Sequence, residues 1–94
     1  MELAVVIGQV VSTVKSPGLG HDRLLLLDFV GVDGRPRGDV HVAIDAIGAG
    51  TGEWVLVVQG SSARKTHGND SPIDMSVIGI VDEVVVGDGV LYHK

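Results

Sequence analysis

The 94-residue chain contains no cysteine. That excludes a disulfide framework and any thiolate metal site, and it suits a reducing compartment. Aromatic residues are nearly as scarce: Phe29, Trp54 and Tyr92 are all there are, too few to build the stacking platform that single-stranded nucleic acid needs. Cations are outnumbered as well. Seven Lys and Arg face twelve Asp and Glu, and the formal charge of −5 sets up a field that repels phosphate backbones. No apolar run approaches the roughly 20 residues of a membrane span. Met1-Glu2, followed only by the short apolar run Leu3–Ile7, lacks the basic and hydrophobic regions of a signal peptide. The expectation is a soluble cytoplasmic protein with no membrane partner and no general affinity for nucleic acid.

What is abundant is aliphatic. Hydrophobic residues make up 45% of the chain, mean hydropathy is +0.36, and the content is mostly Val, Ile and Leu, the composition of strands. There are no repeats, charge blocks or linkers, so residues 1–94 read as a single domain. A folded protein of this mass exposes roughly 5,200 Å² and has little core to spare.

Apolar residues from Leu3 to Val14 fall on both parities of a strand, with Gly8 marking a bend or bulge. Lys15–Asp22, containing Pro17, Gly18 and Gly20, is a loop. A second strand runs from Leu24 to about Val32, and Asp33-Gly34-Arg35-Pro36 turns it into a third, Asp39–Ile44, as its hairpin partner. Trp54–Gln59 is the fourth strand. Ser61 or Ser62 can cap one helical turn through Lys65, which Gly68-Asn69-Asp70-Ser71-Pro72 stops. Asn69-Asp70-Ser71 matches a glycosylation acceptor but reads as a turn where no export signal precedes it. Val77–Val86 reads as one long fifth strand, and Gly87-Asp88-Gly89 turns it into a tail strand, Val90–His93.

This predicts a mostly β fold: a small five-stranded OB-like barrel with at most one short helical turn and a C-terminal tail strand. A barrel has one interior, yet the first, fourth and fifth strands carry apolar residues outward too. Large exposed apolar strips are unusual on a soluble monomer, and the simplest cover for them is identical neighbours in a closed ring.

The most informative stretch is Asp45–Arg64, one apolar strand between two glycine-rich loops. Gly48-Ala49-Gly50-Thr51-Gly52-Glu53 is not a dinucleotide fingerprint. Glu53 replaces the third glycine, a strand follows where a helix is required, and the Lys-Ser/Thr of a P-loop is missing. Gly60-Ser61-Ser62-Ala63-Arg64 lacks the closing glycine of a nucleophile elbow, and neither His21 nor His67 stands at a relay spacing. With His41 and His93, these histidines form no two-histidine metal pair. Asp45, Asp74 and Asp82 suit turn-amide bonding or pairing with Arg64. No enzyme activity, cofactor or metal site is expected. A monomeric OB-fold module binding single-stranded nucleic acid is the alternative in a second functional class.

Several ordered motifs together resemble one family. Gly8-Gln9-Val10-Val11-Ser12-Thr13-Val14-Lys15, Leu24–Leu27, Ile47-Gly48-Ala49-Gly50, Gly52–Val57, Gly60–Arg64, Pro72-Ile73-Asp74 and Val77–Asp82 are similar to the EutN/CcmL family of bacterial microcompartment vertex proteins. The resemblance implies an OB-like barrel that forms a homopentamer at the five-fold corners of a polyhedral shell, next to hexameric shell proteins, in the bacterial cytoplasm. Glu53–Val57 and Gly89-Val90-Leu91-Tyr92 look nearest to the carboxysome members, and a metabolosome remains open. On this reading Gly48, Ala49, Gly50, Gly52, Glu53, Ser61, Ser62 and Arg64 are the expected subunit-contact set. Small residues let backbones approach, and Arg64 bonds a carboxylate or carbonyl across the seam, with Glu53, Asp74 and Asp82 as candidate partners.

Overall fold

In four of the barrel strands the inward parity is apolar, and in the third Ala43 shares it with His41 and Asp45. Ala4 and Val6 point inward from β1 (Glu2–Val10), and Leu25, Leu27 and Phe29 from β2 (Arg23–Val30). Ala43 in β3 (Pro36–Asp45), Val55 and Val57 in β4 (Trp54–Gln59), and Met75 and Val77 in β5 (Met75–Ile80) complete the interior. The computed structural model describes residues 1–13, 15–17, 23–65 and 73–94, with Arg64 described by its backbone alone. The strands close into a barrel in the order β1-β2-β3-β5-β4. Every pairing is antiparallel except β3 with β5, where Ile44 lies beside Ser76 and Asp45 beside Val77. A five-residue helix, α1 (Ser61–Lys65), follows β4, and β6 (Glu83–Val86) and β7 (Gly89–His93) form a separate two-stranded hairpin.

The expected bend at Gly8 is present as a register shift in β1 between Val6 and Gly8. The first strand ends at Val10, short of Val14, which lies outside the described residues. So do residues 18–22 of the expected loop, the helix stop at 68–72, and both His21 and His67. The third strand starts earlier than Asp39, at Pro36, where a proline needs no ladder partner for its nitrogen. Its first turn is fixed by Asp28, whose buried carboxylate accepts the amides of Gly38 (3.3 Å) and Asp39 (3.0 Å).

The expected single strand Val77–Val86 is two. The Val81 amide donates to the Trp54 carbonyl (2.8 Å), and Val81 packs with Val30 and Trp54 on the outside of the barrel. That leaves β5 in the barrel and sends β6 away from it. A second correction concerns the outward apolar residues. Leu3, Val5 and Leu56 are partly covered by the chain's own hairpin through Val84, Leu91 and Tyr92. Val58, Leu24 and Ile44 are likewise packed with Ala63 of α1 and with Ile73. Among the described residues, those still exposed include Ile7 on β1, Val11 and Val32 just past strand ends, Val40 and Val42 on β3, Ile47 in the loop after it, and Val85, Val86 and Val90 on the hairpin. The molecule is elongated, 46 × 23 × 21 Å, and its surface of 5543 Å² exceeds the roughly 5,200 Å² expected for its mass.

Candidate functional site

The eight residues of the expected contact set fall in two groups at opposite ends of β4. Its six residues hold the groups roughly 20 Å apart at strand rise. The first group is the loop between β3 and β4. Asp45, 2% exposed, ends β3 and turns its carboxylate onto the backbone that follows. Oδ1 accepts the amides of Ile47 (2.9 Å) and Gly48 (3.2 Å), and Oδ2 those of Gly48 (3.2 Å) and Ala49 (2.9 Å). Arg23 adds a loose ion pair at 3.9 Å. Ala49 is buried and joins the interior cluster, so this loop also plugs one end of the barrel.

Gly52 sits at φ +91°, a conformation that costs other residues strain, and its amide donates to the Val6 carbonyl (2.8 Å) while the Val6 amide donates to the Glu53 carbonyl (2.9 Å). The loop is thereby stitched to β1 as well as to β3. Glu53 Oε1 accepts the Gly50 amide at 2.6 Å, and Oε2 lies 2.7 Å from Lys94 Nζ. The Glu53 carboxyl is held below its ordinary value, first by the Lys94 hydrogen bond and then by the Gly50 amide. Lys94 is raised by the same contact.

The second group is α1. Ser61 and Ser62 open it and are exposed, while Ala63 is buried and its amide returns to the Gly60 carbonyl (3.1 Å). The Gly60 amide donates to the Asp74 carbonyl (2.8 Å), which ties the helix to the start of β5. The Arg64 side chain lies outside what the structure describes. Of its three candidate partners, Glu53 already has a cation from its own chain, whereas Asp74 and Asp82 are exposed.

The tail strand after Gly87-Asp88-Gly89 is present as β7; what the sequence did not show is that its hairpin folds back on the barrel and that Lys94 reaches Glu53. Tyr92 stacks on Trp54 with ring centroids 4.3 Å apart and 15° between planes, and its hydroxyl accepts the Trp54 amide at 3.4 Å. Leu91 packs so closely over Gly34 that a β-carbon there would come within 2.9 Å of it, and Gly34 also sits at φ +78°. The apolar run on both parities of 77–86 was the signal that something there faces a partner. It gave no hint that the first partner is the barrel of the same chain.

Among the described residues of the two groups, no acid, base and nucleophile are brought together, and the carboxylates of Asp45 and Glu53 accept amides of their own loop. Residues 1–82 match the family model described as ethanolamine utilisation protein EutN/carboxysome. The chain is 59% identical over 95 residues to the bacterial microcompartment shell vertex protein EutN of Salmonella typhimurium, covering 100% of this chain and 96% of that one. It is 52% identical to the carboxysome shell vertex protein CcmL of a Synechocystis species, covering 100% and 95%. Among solved structures, the GrpN pentameric microcompartment shell protein from Rhodospirillum rubrum superposes with a TM-score of 0.85 at 45% identity, over 93% of this chain and 100% of that one. The ethanolamine relative is more similar than the carboxysome one, the reverse of what Glu53–Val57 and Gly89–Tyr92 suggested.

Proposed function

The chain belongs to the EutN/CcmL family, and we propose that it is a structural vertex protein whose copies form a homopentamer at the five-fold corners of a microcompartment shell. The observation that carries this is the full-length match to a shell vertex protein at 59% identity. The geometry supports it. Six-fold tiles alone make a flat sheet, and a five-fold unit standing in place of one at a corner has five neighbours instead of six, which gives curvature. That work needs a rigid wedge and no active site, which suits loops whose carboxylates hold their own turns. Hexameric shell proteins are then the neighbours, and the bacterial cytoplasm is where the shell assembles.

Two contact groups at opposite ends of one strand suit head-to-tail association, in which one surface of each copy meets a different surface of the next. Gly48, Gly50, Gly52 and Glu53 belong to one such surface, and Ser61, Ser62 and Arg64 to the other. Ala49 contributes by shaping its loop from inside the barrel. Native mass spectrometry of the purified chain is the test. Five 9.8-kDa copies give a single species near about 49 kDa, and Arg64→Ala shifts it toward smaller species at low concentration. A chain that flies only as a monomer at every concentration contradicts the reading.

A further inference from the structure

Among the described residues, two of the apolar surfaces left uncovered have complementary shapes. One is the end of the β6–β7 hairpin. Val85 and Val90 are directly paired across it and are 56% and 58% exposed, with Val86 at 54% beside them and Asp88 in the turn between the strands. Only the base of the hairpin, through Val84, Leu91 and Tyr92, rests on the barrel. The other is a groove of about 190 Å³ lined by Leu24, Val42, Ala43, Ile44, Ile73 and Met75, with Asp74 at its edge. Leu24 also borders an adjoining polar recess that carries Lys15 and Arg23.

We propose that in the ring the Val85–Val90 tip of one copy's hairpin seats in the Leu24–Val42–Ile44 groove of the next copy, with Asp88 directed at the Lys15 and Arg23 of that neighbour. A copy's own hairpin is not placed to fill its groove. The hairpin base docks at Val30 and Gly34, at one end of β2, and Leu24 stands at the other end, roughly 20 Å away along the strand. The two surfaces are therefore knob and hole at separate ends of one chain, the arrangement that produces a heterologous contact. The acid at the tip has two cations within reach of the hole, Lys15 and the loosely paired Arg23, while Asp74 stands at the groove's edge and favours the Lys15–Arg23 side for Asp88. The placement is also continuous with the two contact groups. Through Lys94 and Tyr92 the hairpin is anchored to Glu53 and Trp54, beside the glycine loop. The groove shares Leu24, Ile44 and Ile73 with the cluster under Ala63, beside the Ser61–Arg64 segment. Each half of the expected seam thus adjoins one of the complementary surfaces.

This inference rests on the ring reading, and the absence of cysteine from the chain gives a test that separates the two. A Val90→Cys, Val42→Cys double variant, oxidised as the full-length protein, yields covalent multimers up to the ring size on a denaturing non-reducing gel. Disulfides form only when the two Cα atoms lie within about 7 Å. Each single-cysteine variant oxidised alone yields no ladder. In parallel, Val85→Asn with Val90→Asn raises the concentration at which the ring dissociates at least tenfold while leaving far-ultraviolet circular dichroism unchanged. An unmodified chain that forms the ring in native mass spectrometry, with a double-cysteine variant that does not cross-link and an asparagine variant that dissociates as the unmodified chain does, overturns the hairpin contact and leaves the ring standing. An unmodified chain that forms no ring overturns both.

Discussion

At the scale of single residues, the glycine loop is governed by one carboxylate. Asp45 has no solvent access at its side chain and serves the amides of Ile47, Gly48 and Ala49. Removing it strands those donors at the barrel's end. Asp45→Ala should lower the free energy of unfolding by about 3 kcal/mol, and Asp45→Asn by roughly 1–2, since an amide oxygen replaces only part of the bonding. Urea denaturation with an unchanged m-value checks this, and a loss under about 0.5 kcal/mol for the alanine variant would contradict it. This role was legible in the sequence, where an aspartate at a strand end before Gly48 suits turn amides. The role of Gly34 was only half legible. Its place in a turn was plain, but its closeness to Leu91 joins residues 57 positions apart, beyond the reach of any local pattern.

At the scale of elements, the hairpin and the glycine loop are fastened together by Glu53 and Lys94, and that fastening responds to pH. The Glu53 carboxyl is lowered by Lys94 and Gly50, so its contribution is in place above the ordinary carboxylate value and is lost as pH falls through the lower folded value. Lys94 is raised by Glu53, so its contribution is complete below the ordinary lysine value and disappears as pH rises through the raised one. The pair is therefore closed across the neutral range and opens on the acid side. Trp54, the single tryptophan, stacks on Tyr92 of the same hairpin and reports it. Its emission should change as pH drops below the ordinary carboxylate range, and Glu53→Gln should remove that transition. Persistence of the acid transition in the variant would show that Glu53 is not the fastening.

The elements themselves were read unevenly, for physical reasons. β2, β4 and the β2–β3 turn were evident because leucine and valine runs end on strong turn residues. The break between β5 and β6 was hidden, because apolar residues continue on both parities through Val81. The chain leaves the barrel there on account of the Trp54 carbonyl, a partner 27 residues back. The parallel pairing of β3 with β5, which closes the barrel, is equally non-local.

At the scale of the whole molecule, the excess of apolar surface was right in kind and displaced in position. Much of what β1 and β4 turn outward is covered by the chain's own hairpin and helix, and what the described residues leave uncovered includes Val40 and Val42 on β3 and the hairpin's end, with Ile7 on β1. Those places are open to a neighbouring copy, and the wedge that a ring is built from is set by the barrel between them. Whether this wedge closes a shell is read by electron microscopy of shells assembled from hexameric shell proteins with and without this chain. With the chain present, closed polyhedra should form with the protein at their corners. Without it, the same tiles should give open sheets or tubes. Equally closed polyhedra in its absence, or its distribution over the flat faces, would contradict the account.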